Sequence, residues 1–188
     1  MGLCSFLTFS QSTTVLGTPG TLTGQNLPIE AYYGYTYSQS IITASELNAS
    51  GINGANLISA VTLDYASASL SSSDNWTVYM GHSTKTSFSS STDWEPVSSL
   101  TTVFTGTATV TTGTTNTVVI TFSTPFMWDG ISNIVMAFDE NQSGYGSSSD
   151  DFYCRSTTGV RSIVYYADGT NPNPASPPTG ILKSVVPN

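Results

Sequence analysis

The chain has 188 residues, of which 38% are hydrophobic and 9% are charged, and its 4 Lys and Arg against 12 Asp and Glu give a formal net charge of −8. So few cations cannot form a surface that neutralises phosphates, so we expect no nucleic-acid partner. The sequence contains neither an apolar run of about 18 residues nor a basic amphipathic segment, so we expect no membrane insertion.

Residues 1–10 (MGLCSFLTFS) are apolar, and a polar Ser/Thr segment begins after Gln11. This pattern is typical of the end of a signal peptide and predicts an exported protein. We therefore predict a leader remnant over 1–10 and a single domain over 11–188, since that length suits one sandwich. A first β-strand over Leu3 to Phe9 is the alternative interpretation.

The expected state of the two cysteines, Cys4 and Cys154, depends on whether residues 1–10 are a removed leader. Removal of the leader would leave Cys154 alone, and we interpret it as a small buried side chain because Asp150 and Asp151 would disfavour a thiolate. A Cys4–Cys154 disulfide would require the leader to be kept.

Alternating apolar and polar residues predict strands along most of the chain. The clearest segments are 57–65, 76–80, 118–122 and 134–138, and the weaker ones are 36–43, 100–110, 161–167 and 180–186. Turn sequences such as Asp129-Gly130 and Asp168-Gly169 separate these segments. The pattern predicts an all-β fold, an antiparallel β-sandwich of about eight strands with jelly-roll-like or immunoglobulin-like packing.

The pattern also predicts which face of one strand is buried, where a helical turn occurs, and where a loop replaces a strand. In segment 57–65 the alternation places Leu57 on the same buried face as Leu63 and Tyr65. A helical turn is expected only at residues 45–48. The proline-rich run 171–178 cannot be a central strand, because proline lacks the N–H that a ladder needs, so we predict an ordered loop before a last strand.

Five segments together resemble a module of secreted Bacteroidota proteins: Leu27 to Gln39, Trp76 to His82, Thr84 to Trp94, Pro125 to Gly130 and Asn133 to Asn141. The resemblance is to the jelly-roll adhesin-type and galactose-binding-like sandwiches of multidomain proteins exported by the type IX pathway. It covers nearly the whole chain, and it implies a cell-surface location and a place as the N-terminal module of a longer protein. It implies no particular chemistry.

The sequence favours a non-catalytic protein. His82 is the single histidine, and neither G-x-S-x-G nor H-E-x-x-H occurs. Asp150 and Asp151 are neighbours, and neighbouring side chains of an extended segment point in opposite directions, so they make a poor glycosidase pair. We interpret His82 as a polar residue near a strand end.

Calcium is the one cofactor that the sequence suggests. Asp139, Glu140 and Asn141 end a predicted core strand, and Asp150 and Asp151 end the Gly/Ser loop that follows. A return of the chain could gather Asp139, Asn141, Asp150 and Asp151 as oxygen ligands. The alternative is that these residues are ordinary solvated turn formers.

Aromatic residues are the candidate ligand contacts. In an extended segment Tyr33, Tyr35 and Tyr37 would project on one face, where they could stack on sugar rings or hold a protein partner. Packing of these rings on the core is the alternative. Trp94, in the long excursion 83–99, is expected to be exposed, and Tyr145 lies between two glycines of a loop.

These features predict an extracellular binding or adhesion module whose partner is a glycan or a surface protein. An accessory domain of a secreted glycosidase or peptidase, with the catalytic part outside this chain, is a second hypothesis. A structural spacer is a third, and it predicts no exposed aromatic patch of ligand size.

Overall fold

The computed structural model describes residues 12–70 and 72–188, so the predicted leader over 1–10, the alternative strand over Leu3 to Phe9, and Cys4 lie outside it. Within these residues the elements in chain order are β1 (Tyr35–Ile42), α1 (Ala44–Ala49), β2 (Asn56–Tyr65), β3 (Asn75–Ser83), a 3-10 turn (Val97–Ser99), β4 (Thr101–Thr107), β5 (Val110–Thr111), β6 (Asn116–Trp128), β7 (Asn133–Glu140), β8 (Cys154–Ser156), β9 (Ser162–Ala167), β10 (Ile181–Lys183) and β11 (Val185–Pro187).

The strands form two layers. One layer is a six-stranded antiparallel sheet in the order β10-β9-β1-β7-β3-β4, and the other combines a three-stranded sheet, β2-β6-β5, with a two-stranded sheet, β11-β8. The predicted all-β antiparallel sandwich is confirmed. Eleven strands occur in the described residues rather than about eight, because β5, β8, β10 and β11 are only 2 or 3 residues long.

The main core lies between the two layers. Trp76 and Val78 of β3, Ile134 of β7 and Ile120 of β6 point into it and are fully buried, as their alternation predicts. A smaller core around Leu27 and Cys154 continues it beneath the two-stranded sheet. These buried faces fix which side chains of each strand remain available for contact with a ligand.

One prediction about strand β2 is wrong. Leu57 does not share the buried face of Leu63 and Tyr65, and 58% of its surface is exposed. The pairing of β2 with β6 shifts between Ile58 and Ala60, which marks a β-bulge. From Ile58 to Ala60 strand β2 advances 2 residues, while the paired stretch of β6 runs over 5, from Phe126 back to Thr121. Ile58 and Val61 both pack on the main core, so the facing of the β2 side chains changes at this irregularity and Leu57 points outward.

The other face of the six-stranded sheet, which we call the outer face, is partly covered by loops. Trp94 and Phe88 from the excursion after β3 pack there on Tyr37, Ile163 and their neighbours. The proline-rich run after β9 reaches the same place, because Pro178 O accepts a hydrogen bond of 2.9 Å from Trp94 Nε1. The run is therefore a loop that leads to β10, as predicted.

Helix α1 contains the predicted helical turn and is tied to the sheet by charge. Thr43 and Glu46 form a capping box at its N-terminus. Glu46 also accepts hydrogen bonds from Arg155 (2.8 Å) and from Arg161. Burial alone would raise the pKa of Glu46, but the bond from Arg161, the bonds from Thr43 and the positive charge of Arg161 lower it to about 2. Neither this helix of 6 residues nor the 3-10 turn could cross a membrane, and the described residues contain no other helix.

Candidate functional site

Four tyrosines from three separate segments meet at the surface, and we call Tyr32, Tyr33, Tyr145 and Tyr166 the tyrosine patch. Their ring centroids form a chain of contacts, with 6.4 Å from Tyr145 to Tyr32, 5.6 Å from Tyr32 to Tyr33 and 4.5 Å from Tyr33 to Tyr166. Tyr32 is 49% exposed and Tyr145 is 67% exposed. The patch therefore presents two open rings supported by two that are partly buried.

Two hydrogen bonds hold the three segments of the patch together. Gly146 N donates to Ala31 O at 2.7 Å, which fixes the loop of Tyr145 against the segment of Tyr32. Gly34 N donates to the Asp168 carboxylate at 3.3 Å, which joins that segment to the chain just after β9. A side chain at Gly34 would meet Asp168 O at 3.0 Å, so glycine is the residue that permits this close approach.

Polar groups flank the patch. Glu30 accepts hydrogen bonds from the backbone N–H of Tyr32 and from the side chain of Asn26, and Lys183 Nζ donates to Asn26 at 3.0 Å. Burial, followed by the neighbouring Tyr33 and Glu30, raises the pKa of Tyr166. The Tyr166 phenol therefore stays neutral near pH 7 and can both donate and accept hydrogen bonds.

The predicted tyrosine stripe is divided between two places. Tyr33 lies in the turn before β1 and joins the patch, as Tyr145 does, whereas Tyr35 is half-buried at the start of β1. Tyr37 is fully buried on the outer face, where burial raises its pKa further above the ordinary range. Tyr37 therefore packs on the core, which was the alternative to ligand contact.

The expectation that Trp94 is exposed is wrong. It is 9% exposed, its ring centroid lies 5.1 Å from that of Tyr37, and its indole N–H is bonded to Pro178. The excursion folds back onto the outer face because its apolar rings cover the apolar residues there. The sequence placed Tyr32 in the same tyrosine cluster as Tyr33, Tyr35 and Tyr37 but not among the ligand contacts, and Tyr166 was missed. A signal was present in the adjacent pair Tyr165-Tyr166, since adjacent strand residues point to opposite faces.

The acidic end of β7 is buried. Asp139 lies beside Tyr37 on the outer face, while Glu140 lies beside Trp76 on the core side. Burial raises the pKa of Asp139 to about 6 and that of Glu140 to about 8. One oxygen of each carboxyl group is buried with no hydrogen-bond partner within the described residues. At neutral pH Glu140 is therefore mainly protonated.

The structure attaches the two halves of the predicted calcium site to different elements. Asp139 and Asn141 belong to the end of β7, where the Asn141 side chain donates to Asp139 O at 2.9 Å. Asp151 O accepts a bond of 2.8 Å from Ala66 N, just after β2, and Asp150 accepts one of 2.8 Å from Ser147 N. In residues 12–70 and 72–188 no three His, Cys, Asp or Glu side chains are grouped closely enough to hold a metal. The calcium site stays a prediction.

His82 and Cys154 have local roles in the structure. His82 lies near the end of β3, its ring centroid is 4.9 Å from that of Phe126, and its Nε2 accepts a hydrogen bond from Asp129 N. Cys154 is fully buried, and burial raises the pKa of its thiol to about 12. A thiol with so high a pKa is not a nucleophile at neutral pH.

Comparisons of the chain with protein-family models, with curated proteins and with solved structures found no match.

Proposed function

We propose that this chain is a non-catalytic extracellular binding or adhesion module, and that it holds a neutral glycan at the tyrosine patch. The exposure of Tyr32 and Tyr145 within a cluster of four rings is the observation that supports the proposal most. Exposed apolar surface that is gathered into one place marks an interaction site more often than the same surface scattered singly.

The chemistry of the patch favours a sugar. A tyrosine ring offers an apolar face to the C–H groups of a pyranose, and its hydroxyl exchanges hydrogen bonds with the sugar hydroxyls. Hydrogen bonds already hold the three segments, so little conformational entropy is lost when a ligand binds. A spacer would have no need of two open rings supported in this way.

Charge favours a neutral ligand over an anionic one. The chain carries a net charge of −8, and Glu30 and Asp168 both lie at the patch. Lys183 donates to Asn26, which in turn donates to Glu30. An acidic polysaccharide would meet like charge and bind weakly.

Export is supported by the apolar residues 1–10 and by the resemblance to secreted modules.

The test is binding of the purified chain to an array of neutral and anionic glycans. The double variant Tyr32→Ala/Tyr145→Ala removes both open rings and leaves the backbone bonds of the patch in place. We expect retention on neutral glycans to fall at least about tenfold, as loss of central aromatic contacts usually causes, with an unchanged melting temperature.

Ile131→Ala is the matched control, since Ile131 is 81% exposed and lies in the turn between β6 and β7, outside the patch. It should bind as the unchanged chain does. Equal retention of the double variant and the control would contradict the proposal, as would retention on anionic glycans alone. Binding to an immobilised surface protein, with none to any glycan, would replace the glycan by a protein partner.

A further inference from the structure

A cleft on another part of the molecule has walls from four segments of the chain. It has a volume of about 490 Å³ and lies between residues 19–21, the end of β2 at residues 64–66, the β5–β6 turn at residues 113–116, and Tyr153. Small-molecule sites generally have volumes of roughly 300–1,000 Å³. The cleft is therefore large enough to hold a ligand of the size of a short saccharide.

Hydrogen bonds fix the shape of this cleft. Tyr153 N donates to Asp64 O at 2.9 Å, and Asn188 N donates to Tyr153 O at 2.9 Å. The Asn188 side chain donates to Gly20 O at 2.8 Å and accepts from Gly20 N at 3.0 Å. On the opposite wall Asn116 accepts from Gly113 N at 3.1 Å. The walls are thus formed before any ligand arrives, which lowers the entropic cost of binding.

Unused polar groups line the same walls. Within the described residues, the side-chain hydroxyls of Tyr153, Thr21, Thr114 and Thr115 have no protein hydrogen-bond partner, and Asp64 receives one long contact of 3.5 Å from Asn188. Tyr153 is half-buried and lines the cleft. One carboxylate, four hydroxyls and an aromatic ring are groups that bind the hydroxyls and the C–H face of a sugar.

Charge again narrows the class of ligand. Among the described residues that line the cleft, Asp64 is the one that is charged, and none is a Lys or an Arg. An anionic ligand would be repelled, and a largely apolar one would leave the hydroxyls and the carboxylate without partners. We propose that this cleft is a second ligand site, distinct from the tyrosine patch, and that it takes a short neutral saccharide. This inference does not depend on the function proposed for the patch.

The test is a titration of the full 15N-labelled chain, followed by amide chemical shifts, with cellobiose, maltose, lactose and mannobiose and, as the anionic comparison, digalacturonate. We expect at least one neutral disaccharide to shift the amides of Gly20, Gly113 and Tyr153, and digalacturonate to leave them unchanged. Asp64→Asn should weaken that binding about tenfold, because a charge-assisted hydrogen bond becomes a neutral one.

A steric pair of variants separates binding in the cleft from binding elsewhere. Thr114→Trp fills the cleft and should abolish the shifts, while Thr112→Trp places the same ring on an exposed residue outside the lining and should not. The variant Tyr32→Ala/Tyr145→Ala should keep the cleft shifts, so the patch and the cleft can fail independently. Absence of shifts with all four neutral disaccharides, or equal binding by the two tryptophan variants, would overturn the inference.

Discussion

Two pairs of aromatic rings in this protein differ in their exposure to solvent. Tyr37 and Trp94 have ring centroids 5.1 Å apart and are buried on the outer face of the six-stranded sheet. Tyr32 and Tyr145 have ring centroids 6.4 Å apart and remain open to solvent. The difference comes from two segments that pack over Tyr37: the excursion after β3, which carries Trp94, and the loop before β10. These two segments are joined where Gly180 N donates to Ser91 O at 2.7 Å. The residue type alone does not decide whether a ring stabilises the fold or contacts a ligand.

The largest expected effect comes from removing the buried ring. Trp94→Ala should lower the free energy of unfolding by roughly 3–5 kcal/mol, because it leaves a cavity beneath the loops and removes the bond to Pro178. Tyr145→Ala should change it by less than about 0.5 kcal/mol, since an exposed ring is removed. Urea denaturation of both variants measures this difference. Equal losses of stability in the two variants would contradict the claim that Trp94 stabilises the fold and Tyr145 does not.

A second variant tests how tightly the loop before β10 packs against Trp94 and the outer face. A Cβ at Gly180 would lie 2.7 Å from Trp94 Cζ2 and 2.7 Å from Ile163 Cγ1, so Gly180→Ala should destabilise the protein by roughly 1–3 kcal/mol. Gly169→Ala is the matched control, because its Cβ would meet nothing within 4 Å. Thermal melts compare the two variants. A melt of Gly180→Ala that equals the control would show that the loops adapt.

The smallest expected effect is the part of the pH dependence of stability that comes from Asp139, beside the covered pair. Asp139 lies beside Tyr37, and because its pKa is raised to about 6 in the folded chain, folding favours its protonated form. Its contribution to stability is fully present below the ordinary pKa of an aspartate and is lost as the pH rises through about 6. Between about pH 5 and about pH 7 the loss should be about 1 kcal/mol.

Melts of Asp139→Asn across this range check the effect. The variant should lack this part of the pH slope and keep the part that comes from Glu140, whose pKa is about 8. The further variant Asp139→Asn/Glu140→Gln should flatten the slope more. A slope in Asp139→Asn as steep as in the unchanged chain would show that Asp139 is not the group that titrates.

The predictability of the fold and of the site differs along the chain. Each of the eight segments predicted to be extended contains a strand, because period-2 alternation reflects burial on one face of a sheet. Leu57 was misplaced because the irregular pairing of β2 with β6 cannot be read from alternation. The short strand β8 carried no such signal, since it has 3 residues.

The candidate sites were harder to predict because each is built from distant parts of the chain. Tyr33 and Tyr145 were identified, but Tyr166 enters the patch through the pairing of β9 with β1, and Tyr153 meets Asp64 through contacts beyond the strands. Composition showed that the chain is acidic and rich in tyrosine. It could not show which tyrosines would be covered.

The sequence by itself determined the class of fold, the buried face of β3, β6 and β7, and the lack of cations for an anionic partner. Those properties follow from local alternation and from net charge, which need no knowledge of neighbours in space. Tertiary structure alone decided that Trp94 is covered while Tyr32 and Tyr145 stay open, and that Asp64 and Tyr153 share a cleft. Exposure depends on which segments pack over a residue, and those segments lie far away in the sequence.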